Sequence, residues 1–242
     1  MKKIKLKRFI AIDPAHCSVA ASATIGEFYD KGIDYNLVKG ISYKKICKTI
    51  AKNEEGLDSS QICMLLNHIG FKKVTLITSD LAMVDYRWKD YGKRKMKGVL
   101  KEACSTQKDK IARGLVKDLY KWYSLDGFDN NIKVDYNFGK HIRKQLSKGK
   151  PLLLSFNWTM FFRFTKEKVN GDEDAVNGDY QHHSVAINGY DSKGVWIVDS
   201  HIGRYTYKRK KYSKGYYKMP WENLMTSMGE GDIIIPDDYC KE

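Results

Sequence analysis

The stretch HHSVAINGYDSKGVWIVDSH, residues 182–201, reads as two β-strands joined by a tight turn. The first strand, HSVAINGYD, starts at His183 and reaches a turn at Asp191-Ser192-Lys193-Gly194; the return strand, VWIVD, ends at Asp199. In such a hairpin the start of the first strand and the end of the second come together. Asp199, 16 residues after His183, is therefore placed to hold one ring nitrogen of that histidine and leave the other for a further group. His182 and His183 are adjacent, so in a strand they point to opposite faces and only one can serve. His182 is read as a rim residue, and His201 as a solvent-facing residue beyond the strand.

Around this hairpin the C-terminal half is rich in strands. PLLLSF precedes it, after a helix over 138–148 capped by Asn137 and stopped by Gly149 and Pro151. RYTYKR and DIIIP follow it, and YYKMPWENL reads as a turn at Pro220 leading to a short helix in which Trp221 packs. The N-terminal half is mainly helical. Helices are expected over 14–30, with Asp13 as N-cap and Pro14 in the first turn, and over 42–52, capped by Ser42. Asp58 and Gln61 have capping-box spacing, and Ile62, Leu65, Leu66 and Ile69 follow at helical spacing up to Gly70. VTLITS, residues 74–79, is a strand. Cys47 and Cys63 fall on apolar helix faces and read as core thiols.

Helix-first and strand-later halves predict an α+β fold with a cleft between two lobes. The helical half carries Cys17 in DPAHCSVAASATIGEFYD, residues 13–30, in or next to the first turn of a helix. There the unpaired backbone N–H groups and the positive end of the helix dipole favour a thiolate. A thiolate nucleophile needs a base from elsewhere in the chain, oriented by a third residue. The 183/199 hairpin supplies both.

These residues resemble the papain-like cysteine peptidase clan, and within it the C39-like, bacteriocin-leader-peptidase-like branch. The likeness rests on Cys17-Ser18-Val19-Ala20 at a helix start, the block H-x-V-x-x-x-G-Y-D at 183–191, and Val198-Asp199 at a strand end. LSKGKPLLLSF (146–156) matches the strand that precedes the histidine hairpin in such proteins. The likeness spans roughly residues 10–80 and 138–236. It implies a two-lobed papain-like fold, with a helical N-terminal lobe carrying the nucleophile helix and an antiparallel β-sheet C-terminal lobe. It also implies a thiolate nucleophile at Cys17, a base and acid at His183, which stands two before Val185 as the pattern requires, and an orienting carboxylate at Asp199. The reaction implied is hydrolysis of a peptide or amide bond through a thioester acyl-enzyme, with no cofactor and no metal.

Two departures bear on that reaction. These peptidases carry a glutamine six residues before the cysteine as an oxyanion donor, and this chain has Ala11 there; losing such a donor typically costs a factor of about 10² to 10³. His16 and Asn157 are the candidate substitutes, with the Cys17 backbone N–H remaining available. The family also often has glycine where this chain has Ser18. The HCS tripeptide resembles butirosin-pathway acyltransferases, and DPAHC beside VDSHIGRYTY resembles phytochelatin synthase, so transfer of an acyl group to an amine is the alternative to hydrolysis. A pseudoenzyme lacking the oxyanion glutamine, or a basic binding module, is a third reading.

The whole chain, 1–242, reads as a single domain, with residues 85–135 as a helical insertion. Segment 85–121 holds twelve Lys and Arg against five Asp and Glu, a surplus of seven that is half of the net charge of +14. Its YRWKDYGKRKMK offers the aromatic and basic interleaving that nucleic acid uses. The same residues also make amphipathic helices with Leu100, Cys104, Ile111, Leu115, Leu119 and Trp122 facing inward, and that reading is preferred. Five cysteines without metal-ligand spacing indicate free thiols. The acidic loop Asp172, Glu173, Asp174 and Asp179 lacks the later glutamate of a calcium loop and reads as a solvated loop gating the cleft. His68 and His141 lie on helix surfaces. No apolar run is long enough for a membrane span or signal peptide, so a cytoplasmic protein is expected unless a leader has been removed.

Overall fold

The computed structural model describes residues 3–12, 14–48, 56–168, 172–201 and 214–240. Eight α-helices and seven strands occur among them. The helices are α1 (Cys17–Tyr29), α2 (Tyr35–Ile41), α3 (Ser59–His68), α4 (Lys93–Thr106), α5 (Lys110–Tyr123), α6 (Phe138–Ser147), α7 (Trp158–Phe162) and α8 (Trp221–Ser227). The strands are β1 (Phe71–Thr78), β2 (Asn131–Val134), β3 (Leu152–Asn157), β4 (His182–Asp191), β5 (Gly194–Val198), β6 (Tyr216–Pro220) and β7 (Asp232–Tyr239). They form one sheet in the order β2-β1-β7-β3-β4-β5-β6, in which only the β1/β2 pair is parallel. The expected α+β class is observed, in a papain-like layout where a buried cysteine-bearing helix lies against an antiparallel sheet. The two halves of the chain are not separate layers, because β1 pairs with β7 inside the shared sheet.

Alternation along the strands supplies both faces of the sheet with apolar side chains. Leu153, Ala186, Val198 and Ile234 join the core that contains α1, α3 and α5. Leu152, Leu154, Val185, Ile187, Val195 and Ile233 pack instead with α6, α7 and α8. Every residue of α1 from Cys17 to Glu27 is buried, which its run of small residues permits: a helix without a polar face belongs inside. Asp58 and Gln61 make a complete capping box at the start of α3, and Gly70 closes that element at φ +119, a conformation suited to glycine. Asn137 caps α6 through Lys140 N–H, as expected.

Several local readings are corrected. α2 begins at Tyr35, seven residues ahead of the expected helix, because Asp34 accepts from Leu37 N–H as its N-cap. Ser42 ends that helix and opens a π-helical turn to Ile46. Residues 204–209 (RYTYKR), Asp13 and residues 49–52 lie outside the described residues. YYKMP is the strand β6, paired to β5 from Val198↔Tyr216 to Gly194↔Pro220. Aromatic and β-branched partners across an edge outweigh the turn signal of Pro220, which terminates the strand without needing an N–H in the ladder. In the basic segment Leu100, Leu119 and Trp122 are buried as expected, while Ile111 is 77% exposed. It occupies the first turn of α5, whose buried stripe begins one residue later at Ala112. Cys63 is fully buried and Cys47 half-buried against the same core.

One polar level interrupts the apolar sheet. Thr78, Asp232, Ser155 and Ser184 are successive cross-strand partners on β1, β7, β3 and β4. Burial pushes the Asp232 carboxyl up to about 7, with the Ser59 and Thr78 hydroxyls pulling the other way and Asp80 adding to the rise. Its folded pKa thus lies above the unfolded one, so the group stays neutral in the fold while it ionises in the unfolded chain. Stability from this group is full below about pH 4 and is lost as pH rises towards 7, by up to about 4 kcal/mol. Asp232→Asn should flatten that part of the pH dependence in urea denaturation between pH 4 and 7; an unchanged slope would show an ionised Asp232 in the fold.

Candidate active site

Cys17 is the first residue of α1, following a 3-10 turn from Pro14 to His16. α1 packs against β4, so its start meets the beginning of that strand. There His183 lies opposite Phe156 in the register with β3. β4 and β5 form the expected hairpin, with Asp191 Oδ1 accepting from Lys193 N–H (2.8 Å) and Gly194 N–H (3.2 Å) to hold the turn. The hairpin brings His183 Nε2 to 2.7 Å from Asp199 Oδ1. Nδ1 remains as the ring nitrogen for Cys17, whose thiol His183 influences by its charge and by hydrogen bonding. The three residues singled out from sequence are therefore together and buried, with exposures of 7%, 2% and 0% for Cys17, His183 and Asp199.

The electrostatics follow from that burial. Desolvation pushes the Cys17 thiol up, yet its pKa ends below the ordinary value. The opposing causes are the His183 charge, a hydrogen bond to His183 and one from the Ser184 backbone N–H, with Asp199 acting against them. For His183, burial alone lowers the pKa; the charges of Asp199 and Cys17 and hydrogen bonds to both overcome it and lift the ring to about 10. Asp199 is likewise pushed up by burial but held below the usual carboxylate value by His183 and by two further donors. Those donors are the His201 backbone N–H on Oδ1 and the Tyr217 hydroxyl on Oδ2, both at 2.8 Å. A thiolate beside an imidazolium is the favoured pair between the Cys17 pKa and about 10.

Three neighbours were not found from sequence, or were misread. Tyr217 comes from β6, which the turn signal at Pro220 concealed. Trp158, at the start of α7, stacks on the His183 ring with centroids 4.3 Å apart and planes 17° apart. His201 is 8% exposed, not solvent-facing, and its ring stands edge-on to Trp158 at 4.8 Å. Burial, then the nearby charge of His183, lower its pKa to about 4, with Arg8 adding to the effect and Asp199 opposing it, so it is neutral where His183 is charged. His182 is at the rim as expected, 3.5 Å from Glu230. His141 is only half-buried and pairs with Asp135 at 2.7 Å, and His68 is half-buried on α3. Asp174 is taken up by Val176 and Asn177 N–H and by Lys168, and no acidic or histidine cluster suited to a metal occurs among the described residues.

The candidate oxyanion donors are placed differently. His16 is buried with Nε2 bonded to the Tyr43 hydroxyl. Asn157 Oδ1 caps α7 by accepting from Met160 N–H at 2.9 Å. Ala11 lies beside the turn after β5, its N–H donating to Ser200 O at 3.0 Å, and Ser200 Oγ donates to Cys17 O at 3.3 Å. Two surface hollows lie away from these residues, one of about 650 Å³ around Gly92 to Glu102 and one of about 400 Å³ around Leu81 to Trp88.

Two outcomes are expected of this arrangement. Cys17 should be alkylated readily at pH 6, where an ordinary thiol is protonated, and His183→Ala should abolish that advantage because burial is then the dominant influence on the thiol. Iodoacetamide rates from pH 5 to 9 with peptide mapping check it, and a wild-type Cys17 no faster than Cys240 contradicts it. Tyr217→Phe should cost about 1–3 kcal/mol in chemical denaturation by leaving a carboxylate oxygen unpaired in the interior; a loss below a few tenths would assign the tyrosine no such part.

No curated protein sequence matches the chain. One solved structure, described as a double glycine motif protease from AMS/PCAT transporter in complex with the leader peptide, aligns over 97% of this chain and 94% of its own, at 11% identity and a TM-score of 0.44. The model of the Peptidase_C39 like family matches residues 4–226, a span that contains Cys17, His183 and Asp199. The chain belongs to the Peptidase_C39 like family of cysteine peptidases.

Proposed function

We propose that Cys17, His183 and Asp199 form a thiol acyl-transfer site that cleaves a peptide or small amide. The observation that carries this reading is the His183 ring, held at Nε2 by Asp199 at 2.7 Å and charged beside the Cys17 thiol, whose pKa it lowers. The Cys17 thiolate attacks the carbonyl carbon, and the Cys17 backbone N–H at the helix start is a donor to the oxyanion formed. His183 gives its proton to the leaving amine as the C–N bond breaks, leaving a thioester on Cys17 and a neutral imidazole. Water, deprotonated by His183, then cleaves the thioester to release the acid and restore the thiolate–imidazolium pair. Asp199 keeps the ring oriented and its positive charge stabilised, staying ionised itself.

Transfer to an amine is the second reading, favoured by the burial of the dyad beneath Trp158 and His201. A thioester shielded from water persists long enough for an amine to take the acyl group. In both readings residues 1–242 act as one domain, with 85–135 an insertion whose α5 is anchored on α3 through Gln61 Nε2 and Asp118 Oδ2 at 2.8 Å and whose charged face is exposed. No helix among the described residues is long and apolar enough to cross a membrane.

Incubation of wild type and Cys17→Ala with a complex peptide digest, with acid quenching and mass spectrometry, tests the reading. New peptide termini and a hydroxylamine-labile acyl adduct on Cys17 are expected for wild type alone, and added amines divert product from acid to amide only if transfer operates. Neither adduct nor new termini, together with salt-sensitive binding of polyanions by the basic segment, would replace it with the binding-module reading.

A further inference from the structure

The N-terminal segment 3–12 has no regular secondary structure, yet it is stitched to both sides of the site. Ile4 N–H donates to Asn188 O and Asn188 Nδ2 returns a bond to Ile4 O, each at 2.8 Å, where β4 carries its bulge. Lys3 Nζ sits 3.1 Å above the Trp196 ring of β5. Phe9 N–H donates to Thr24 Oγ1 of α1 at 3.2 Å. The segment thus spans from the cysteine-bearing helix to the turn that carries Asp199.

Arg8 occupies the middle of this strap. Its Nε donates to Asp199 O, Nη1 to Lys214 O at 3.0 Å and Nη2 to His201 O at 3.2 Å. Asp199 N–H is held in turn by Gly215 O at 2.8 Å. Gly215 has φ +67, and a Cβ there would run into the Arg8 guanidinium, so its glycine serves both the backbone turn and the approach of the fork. Asp199 is gripped on both sides of its backbone. Only its two side-chain torsions remain, and His183, His201 N–H and Tyr217 take up the carboxylate.

We propose that Arg8 is a positioning residue for the Cys17/His183/Asp199 site, its forked guanidinium pinning the backbone of Asp199, His201 and Lys214 so that the carboxylate meets the His183 ring. This rests on the reading of those three residues as the reactive group. The contacts are with carbonyl oxygens and not with a carboxylate, so geometry, more than charge, is what Arg8 supplies. A planar guanidinium presents five donors in a rigid fork, which the single ammonium of lysine cannot reproduce across three carbonyls. Misplacing an acid–base partner by about 1 Å can cost on the order of 10²-fold in rate.

The test compares full-length wild type, Arg8→Ala and Arg8→Lys by iodoacetamide rate against pH, by NMR titration of the His183 ring, and by thermal melting. Both variants should react about tenfold more slowly at pH 6 with little change at pH 9, an acid limb displaced upwards by about one unit. The His183 ring should titrate lower in both, and dilute guanidinium chloride should restore Arg8→Ala. Profiles and titrations that superimpose on wild type overturn the proposal, whatever the melting temperatures. Should Arg8→Ala not fold, Arg8→Lys alone decides. Were wild-type Cys17 itself unreactive at pH 6, the reading of the site would fail, and the His183 titration would still decide the part of Arg8.

Discussion

A carboxylate with no exposed surface forfeits its hydration, and a folded chain keeps it ionised only by surrounding it with donors and an opposite charge. Asp199 is that carboxylate. Its two oxygens take three hydrogen bonds, from a ring on β4, a backbone N–H in the turn beyond β5 and a hydroxyl on β6. The order β4-β5-β6 at one edge of the sheet is what makes the three converge. Because Asp199 stays charged, His183 stays charged, and because His183 is charged, the Cys17 thiol ionises in a place where burial opposes it. The chain of causes runs from sheet topology, through the turn beyond β5, to sulfur chemistry at the start of α1.

The surroundings of the pair strengthen it. Trp158 covers one face of the His183 ring and His201 stands against Trp158, so the pair is shielded by aromatic surface from the water that would screen it. Coulomb attraction between fixed charges grows as effective permittivity falls, whereas an exposed pair of this kind is worth little. The neutrality of His201 matters here. A second imidazolium at a ring separation of 5.8 Å would repel the first, and burial together with the His183 and Arg8 charges keeps His201 unprotonated down to about pH 4.

The parts legible in the sequence are those with local causes. The hairpin from His183 to Asp199 follows from alternation and a turn whose Asp191 bonds its own backbone; the start of α3 follows from a capping box; Cys17 at a helix start follows from Pro14 and the alanine run. The parts that were not legible depend on partners distant in the chain. Tyr217 became visible only once β6 was paired with β5, and His201 was read as exposed because nothing within its own stretch shows that Trp158, 43 residues earlier, closes over it. Arg8 carried no signal at all in a lysine-rich segment. Its role comes from reaching carbonyls nearly two hundred positions away.

The missing glutamine acquires a physical setting from the same contacts. Ala11 belongs to the strap, its N–H spent on Ser200 O, and Ser200 Oγ spent on Cys17 O. Position 11 thus contributes a backbone connection that ties the strap to the turn bearing Asp199. His16 Nε2 is bonded to the Tyr43 hydroxyl, and Asn157 Oδ1 caps α7. A site with fewer oxyanion donors gives up rate in forming the tetrahedral intermediate. What this site keeps is the pairing of a His183 ring raised to about 10 with a Cys17 thiol lowered below its ordinary value.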